Sequence, residues 1–317
     1  MIRAVDLFCG AGGSSVGARA AGARIVAGFD RWDLAIRTFR DNFPEAAARC
    51  CDLRRVSAGQ VAREVGAVDL IVGSPECRAH TPARGGWCIP DDSSMTAFEV
   101  VRFARVLKPR WVVIENVPQM RRWHLYPRLL ESLASIGYRV REQILNARDF
   151  GVPQSRRRLF IMCDLERVPP PVIPRCRRFV PALRVVDLDG RYAWTPLFAP
   201  GRARATVERA MRAIRTLGPG EPFLVVYYGT DGAGGWQRLD VPLRTVTTRD
   251  RFAIVKWESG TPLMRMLQPE ELRAAMGLPA SFVLRHGTRR QRIHLLGNAV
   301  CPPVMEAVVR TLSGPRS

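Results

Sequence analysis

Residues 3–30 read RAVDLFCGAGGSSVGARAAGARIVAGFD, and their order decides the fold. RAVDLF is a short apolar run of strand type, and CGAGGSS is a glycine-rich turn. VGARAAGA has helical composition, and RIVAGFD is a second apolar run that ends on Asp30. Strand, glycine turn, helix, strand and terminal acid in that order make a nucleotide-binding βαβ unit. Glycines let the backbone approach a ligand closely. An acid closing the second strand suits a ribose diol. Gly10, Gly12 and Gly13 are followed by serines, so the spacing is not that of a dinucleotide fingerprint, and the turn lacks the lysine of a phosphate loop. The ligand it suits is an adenosine-bearing cofactor without a pyrophosphate; a plain turn is the competing reading.

The alternation continues outward. RWDLAIRTFRDNF (31–43) reads as a helix, VDLIVGS (68–74) as a strand, SSMTAFEVVRFARVLK (93–108) as a helix, PRWVVIENV (109–117) as a strand and LYPRLLESLASIG (125–137) as a helix. YRVREQILNA (138–147) and RRRLFIMCDL (156–165) read as a later strand pair. The first half is therefore a doubly wound α/β unit. RVPPPVIPRCRRF (167–179) is a proline- and arginine-rich break of the kind that separates domains. Beyond it come a helix in RARATVERAMRAIRTLG (202–218), short strands around glycine turns in 222–248, and a helix start at QPEEL (268–272). The stretch RTVTTRD is expected to place Thr245, Thr247 and Thr248 on strand faces.

Composition narrows the partner. The chain has 317 residues, a net charge of +20, and only Lys108 and Lys256 as lysines among 49 basic residues. A G/C-rich genome accounts for arginine over lysine but not for the excess of bases over acids. That excess favours a polyanion, most often nucleic acid. No apolar run has the length of a membrane span, and the N-terminus reads as a strand rather than a leader, so a cytoplasmic protein without a membrane partner is expected. The eight cysteines contain no CxxC pair, so neither a disulfide framework nor a metal site is expected.

Three further groups carry chemistry. In GSPECRAHT (73–81), Cys77 lies just past a strand end, where α/β sheets place their ligands; a thiolate there is a nucleophile, and a buried inert thiol is the alternative. In VVIENV, Glu115 and Asn116 close a strand, where a carboxyl can donate a proton or bind a base edge; a simple strand end is the alternative. In GVPQSRRRLFIM, Arg156 and Arg158 alternate onto one strand face, which suits a phosphate or base carbonyl, or else a solvated basic stripe.

The order DLFCGAGG, Pro-x-Cys, ENV, Gln-x-Arg-x-Arg, PLRTVTT and GNAV, running from about residue 4 to about residue 305, resembles the DNA (cytosine-5) methyltransferase family. Only 166–235 has no placed counterpart. The resemblance implies an α/β fold: a doubly wound, Rossmann-like S-adenosylmethionine-dependent methyltransferase domain with a second, smaller mixed α+β target-recognition domain. The implied division is 1–165 for catalysis and cofactor, 166–288 for target recognition, and 289–317 as a segment returning to the catalytic domain. It implies S-adenosyl-L-methionine as cofactor, held by Phe8, Gly10, Gly12, Asp30, Asp52, Leu53, Asn298 and Val300. Cys77 would be the nucleophile toward a cytosine flipped out of double-stranded DNA, Glu115 would bind and protonate that base, and Arg158 with Arg156 would hold base and loop. A monomer acting in restriction–modification or in phage or host DNA protection is expected, with a cognate restriction endonuclease left open.

One departure stands out. The family has proline before the nucleophile and glutamine after it, whereas this chain has Glu76 and Arg78. Losing proline frees φ. A carboxylate beside a thiol also disfavours the thiolate, and Arg78 is placed to neutralise it. Glu76 therefore joins the catalytic candidates. Three readings follow: an active cytosine-5 enzyme, a relative with altered base, strand type or product (RNA included), and an inactive DNA-binding relative. The loop after Cys77, with Trp87, is expected to move and close over DNA.

Overall fold

A computed structural model describes residues 1–76, 95–174, 178–189, 191–228 and 234–314. Cys77, Arg78, Trp87 and the loop expected to close over DNA lie outside the described residues. The first half is built from β1 (Arg3–Leu7), α1 (Gly13–Ala20), β2 (Arg24–Asp30), α2 (Asp33–Asn42), β3 (Ala47–Cys50), α3 (Ala58–Val65), β4 (Leu70–Gly73), α4 (Thr96–Leu107), β5 (Trp111–Asn116), α5 (Tyr126–Ser135), β6 (Arg139–Asn146) and β7 (Arg157–Asp164). The second half has β8 (Thr195–Pro196), α6 (Arg204–Leu217), β9 (Phe223–Val226), β10 (Trp236–Arg238), β11 (Phe252–Glu258), β12 (Thr261–Met266), α7 (Pro269–Ala275), α8 (Arg289–Asn298) and α9 (Pro302–Ser313).

The large sheet has the order β3-β2-β1-β4-β5-β7-β6. Its first five strands are parallel, and β7 and β6 are antiparallel to their neighbours. Alternate strand residues feed two cores. Ala4, Val113, Phe160 and Met162 face α1, α2, α8 and α9, whereas Val5, Leu7, Val112, Ile114 and Ile161 face α3, α4 and α5. This two-sided burial is why the strands read as continuous apolar runs. The parallel order reverses direction at β1, and β1 and β4 run out side by side at the carboxyl edge, where open α/β sheets bind their ligands.

The small sheet runs β10-β9-β11-β12-β8. Phe223, Val225, Ala253 and Val255 pack against α6, while Leu224, Val226, Phe252 and Ile254 join the core shared with α8 and α9. The second unit is thus continuous with the first through one sheet face. RTVTTRD is not a strand. Leu243 makes a single bridge to Gln154, Thr245 Oγ1 donates across to Ser155 O at 2.8 Å, and Thr247 Oγ1 donates locally to Arg249 O at 3.0 Å. The segment is an extended seam between the two units, so its threonines have no sheet faces to occupy. The returning segment closes the fold: a Cβ on Gly17 of α1 would sit 2.5 Å from Pro302 O, so only glycine admits α9 at this distance.

Candidate active site

The glycine turn after β1 is held from both sides. Cys9 N donates to Phe29 O of β2 at 2.9 Å, and Ser74 N, just past β4, donates to Leu7 O at 3.1 Å. Phe8 takes a positive φ of 61°, and Gly10 and Gly12 have φ of 52° and 97°. Asp30 Oδ2 accepts from Gly10 N at 2.9 Å and Oδ1 from Trp32 N at 2.8 Å. Burial raises the Asp30 carboxyl, against those two bonds and the Arg31 charge. A Cβ on Gly10 would meet nothing within 4 Å, so open space lies beside this backbone, while one on Gly13 would sit 2.5 Å from Val300 O. The late GNAV motif therefore backs the turn: Val300 is buried and Asn298 is exposed at the end of α8. Asp52 caps a short 3₁₀ turn and is paired with Arg54 at 2.6 Å, which holds its carboxyl down at about 2; Leu53 is buried beside it. An acid-capped, backbone-lined turn with open space fits the adenosine and ribose of S-adenosylmethionine.

Beneath the turn, Asp6 is fully buried. Its Oδ2 accepts from Ser15 Oγ at 2.6 Å, and its Oδ1 has no hydrogen-bond partner. Burial, offset by the Ser15 bond, pushes this carboxyl up to about 7.

Glu115 and Arg158 meet through strand register. Glu115 lies opposite Phe160, which puts Arg158 diagonally across from it on the same face, within reach of a long side chain. Arg158 Nε is 3.2 Å from Glu115 Oε1, and Glu115 is only 6% exposed. Burial raises the Glu115 carboxyl, and Arg158, then Arg156, oppose that rise. The carboxyl is thus poised to hold a proton at higher pH than an exposed glutamate. Asn116 Nδ2 donates to Pro75 O at 3.1 Å, tying the end of β5 to the segment that leads into Cys77.

Arg156 is placed differently from the base-holding role implied by the resemblance. It is buried, its Nη1 donates to Val246 O at 2.8 Å, and its Nη2 donates to Gly297 O at 2.7 Å and Ala299 O at 3.1 Å. These contacts join the segment leading into β7 to the small unit and the returning segment. Gln154 does similar work, donating to Ala275 O at 3.0 Å and accepting from Val246 N at 2.8 Å. Its place in Gln-x-Arg-x-Arg was visible, but nothing in the sequence separates a scaffold amide from a ligand-binding one. Glu76 ion-pairs with Arg31 at 2.5 Å. Arg31 follows Asp30 directly, and no sequence signal sets it apart among so many arginines. Among the described residues, no group of three His, Cys, Asp or Glu side chains could hold a metal ion, and no helix is long and apolar enough to cross a membrane.

Comparison with known proteins adds to this geometry. Type II methyltransferase M.HindV of Haemophilus influenzae is 32% identical over 164 residues, which are 52% of this chain and 53% of the relative. Type II methyltransferase M.HgiDI of Herpetosiphon aurantiacus is 32% identical over 164 residues, 51% of this chain and 52% of the relative. The chain spans about half the length of these curated relatives. Over nearly the whole chain, the fold matches the Entamoeba histolytica methyltransferase EhMeth, with a TM-score of 0.72, 16% identity and 98% of each chain covered. It also matches Spodoptera frugiperda DNMT2, with a TM-score of 0.71, 17% identity and 98% and 99% covered. The model of the C-5 cytosine-specific DNA methylase family matches residues 2–177. With that match across more than half its length, the chain belongs to the C-5 cytosine-specific DNA methylase family.

Proposed function

We propose that this protein is a DNA (cytosine-5) methyltransferase that acts on a cytosine flipped out of duplex DNA. The observation that carries this reading is the buried Glu115–Arg158 pair at the end of β5, tied through Asn116 to the segment leading into Cys77. C5 of cytosine is a poor nucleophile. Addition of the Cys77 thiolate to C6 makes the ring an enamine, while Glu115 gives its proton to N3 as charge builds there. General acid catalysis of this kind contributes on the order of 10² to 10⁴ in rate. Covalent catalysis divides one hard step into easier ones. Arg158 fixes the Glu115 carboxyl against the base. Bound S-adenosylmethionine supplies an electrophilic methyl group, and Phe8, Gly10, Gly12, Asp30, Asp52, Leu53, Asn298 and Val300 are the residues that would hold it. Transfer of the C5 proton to solvent water then expels the Cys77 thiolate, and return of the N3 proton to Glu115 restores the neutral aromatic ring. Extrusion of the base costs a few kcal/mol, and the basic surface grips the phosphates during it.

On this reading residues 1–165 and 289–317 form the catalytic unit and 166–288 choose the target. The protein works as a monomer in the cytoplasm, in restriction–modification or DNA protection. The test is a covalent trap. Duplex DNA carrying 5-fluorocytosine is incubated with labelled S-adenosylmethionine, and an adduct should form that Cys77→Ser abolishes. No adduct on any duplex, single strand or RNA sinks the covalent mechanism. Mass analysis of product nucleosides for 5-methylcytosine then separates this activity from an altered base or product.

A further inference from the structure

β2 and β4 flank β1 in the sheet, so their ends lie two strand spacings apart, about 10 Å. The glycine turn 8–12 leaves β1 between them. At the end of β2, Asp30 uses both carboxylate oxygens on the backbone N–H groups of Gly10 and Trp32. The next side chain, Arg31, extends instead toward the end of β4 and meets Glu76 at 2.5 Å. The pair thus runs from the strand that ends on the ribose acid to the residue bonded to Cys77, spanning the outlet of β1. The end of β4 also touches the start of α1, which follows the glycine turn, with Ser14 Oγ 3.4 Å from Ser74 Oγ.

We infer that Arg31 is a positioning residue and that the Arg31–Glu76 pair couples occupancy of the cofactor turn to the placement of the nucleophile segment. Half of the Arg31 side chain is exposed (48%), and Glu76 is 23% exposed. Such a pair adds little to stability, so its effect lies in where it holds the two segments. It also answers the departure at Glu76. Proline fixes the backbone ahead of the nucleophile by covalent restriction, and this chain fixes the same position from outside, by a charge anchored beside Asp30. Among the described residues Arg31 is a counter-ion of Glu76, and the pairing expected from Arg78 lies outside them.

This inference rests on the cofactor reading above, and its test has a readout that needs no turnover. The variants are Arg31→Glu, Glu76→Arg, the double swap and Arg31→Lys. Each is measured for S-adenosylhomocysteine affinity by calorimetry, for 5-fluorocytosine adduct rate and for melting temperature. Each single swap opposes like charges and should weaken S-adenosylhomocysteine binding and slow the adduct by about tenfold each, while the double swap should recover both to within about threefold. Arg31→Lys should stay close to the parent, and melting temperatures should hardly move. Additive losses in the double swap, or single swaps that leave binding unchanged, overturn the coupling. If the parent binds S-adenosylhomocysteine but forms no adduct, the covalent reading fails while the affinity cycle still decides the pair. If the parent binds none, the cofactor reading and the coupling fall together.

Discussion

Two buried carboxyls set the residue-scale expectations. Glu115→Gln removes the proton that the proposed chemistry needs, and single-turnover methylation should fall by about 10² to 10⁴ with S-adenosylhomocysteine binding unchanged. Full activity in this variant would remove Glu115 as the acid. Asp6 gives a pH-dependent effect. Its folded carboxyl is raised to about 7 from an ordinary 3.8, so the folded chain binds this proton more tightly than the unfolded chain. Its contribution is present below the unfolded value and is lost as pH rises from about 4 to about 7, at about 1.4 kcal/mol per unit. Melting temperatures from pH 4 to 8 should therefore fall less steeply for Asp6→Asn than for the parent. Parallel curves would show that the orphaned Asp6 Oδ1 carries no such cost.

At the scale of elements, close approach decides what can be changed. A Cβ on Gly10 would meet no atom, so Gly10→Ala should cost only the strain of a left-handed residue, about 1 kcal/mol. Gly13→Ala pushes against Val300 backbone and should cost about 1–3 kcal/mol, with weaker S-adenosylhomocysteine binding, as denaturant unfolding and calorimetry would show. The small sheet has its own lock. Arg265 and Glu271 form a buried two-bond pair at 2.7 and 2.8 Å, and the Arg265 guanidinium lies 4.8 Å from both the Tyr192 and Trp194 rings. Glu271→Ala strands a buried cation and should cost about 3–5 kcal/mol in urea unfolding.

The same scale explains what the sequence could tell. The βαβ unit was legible because its apolar runs, glycines and terminal acid each have a local cause. Glu115 and Arg158 were legible as types, and their meeting needed only strand register. Arg31–Glu76, Gln154 and the carbonyl partners of Arg156 were not legible, because each joins residues distant in sequence and an arginine's partner leaves no periodic trace. RTVTTRD was misread because β-branched residues favour strands wherever a neighbour exists, and here none pairs beyond Leu243.

For the whole molecule, charge sets the expected behaviour. A net charge of +20 on 317 residues should give non-specific duplex binding whose log affinity falls linearly with log salt, with a slope of about −0.9 per phosphate contacted. Fluorescence anisotropy from 50 to 200 mM salt measures it, and a flat response would mean that the arginines are spent internally. The close docking of α1 against α9 has a consequence in time. Gly17 in the first helix abuts Pro302, and Arg310 donates to Ala20 O at 2.8 Å. During synthesis, residues 3–20 leave the ribosome long before their cover exists. The glycine turn therefore stays half-built until α9 has been made, and a nascent chain stalled before residue 302 should be unable to retain S-adenosylhomocysteine however well its central strands have already paired.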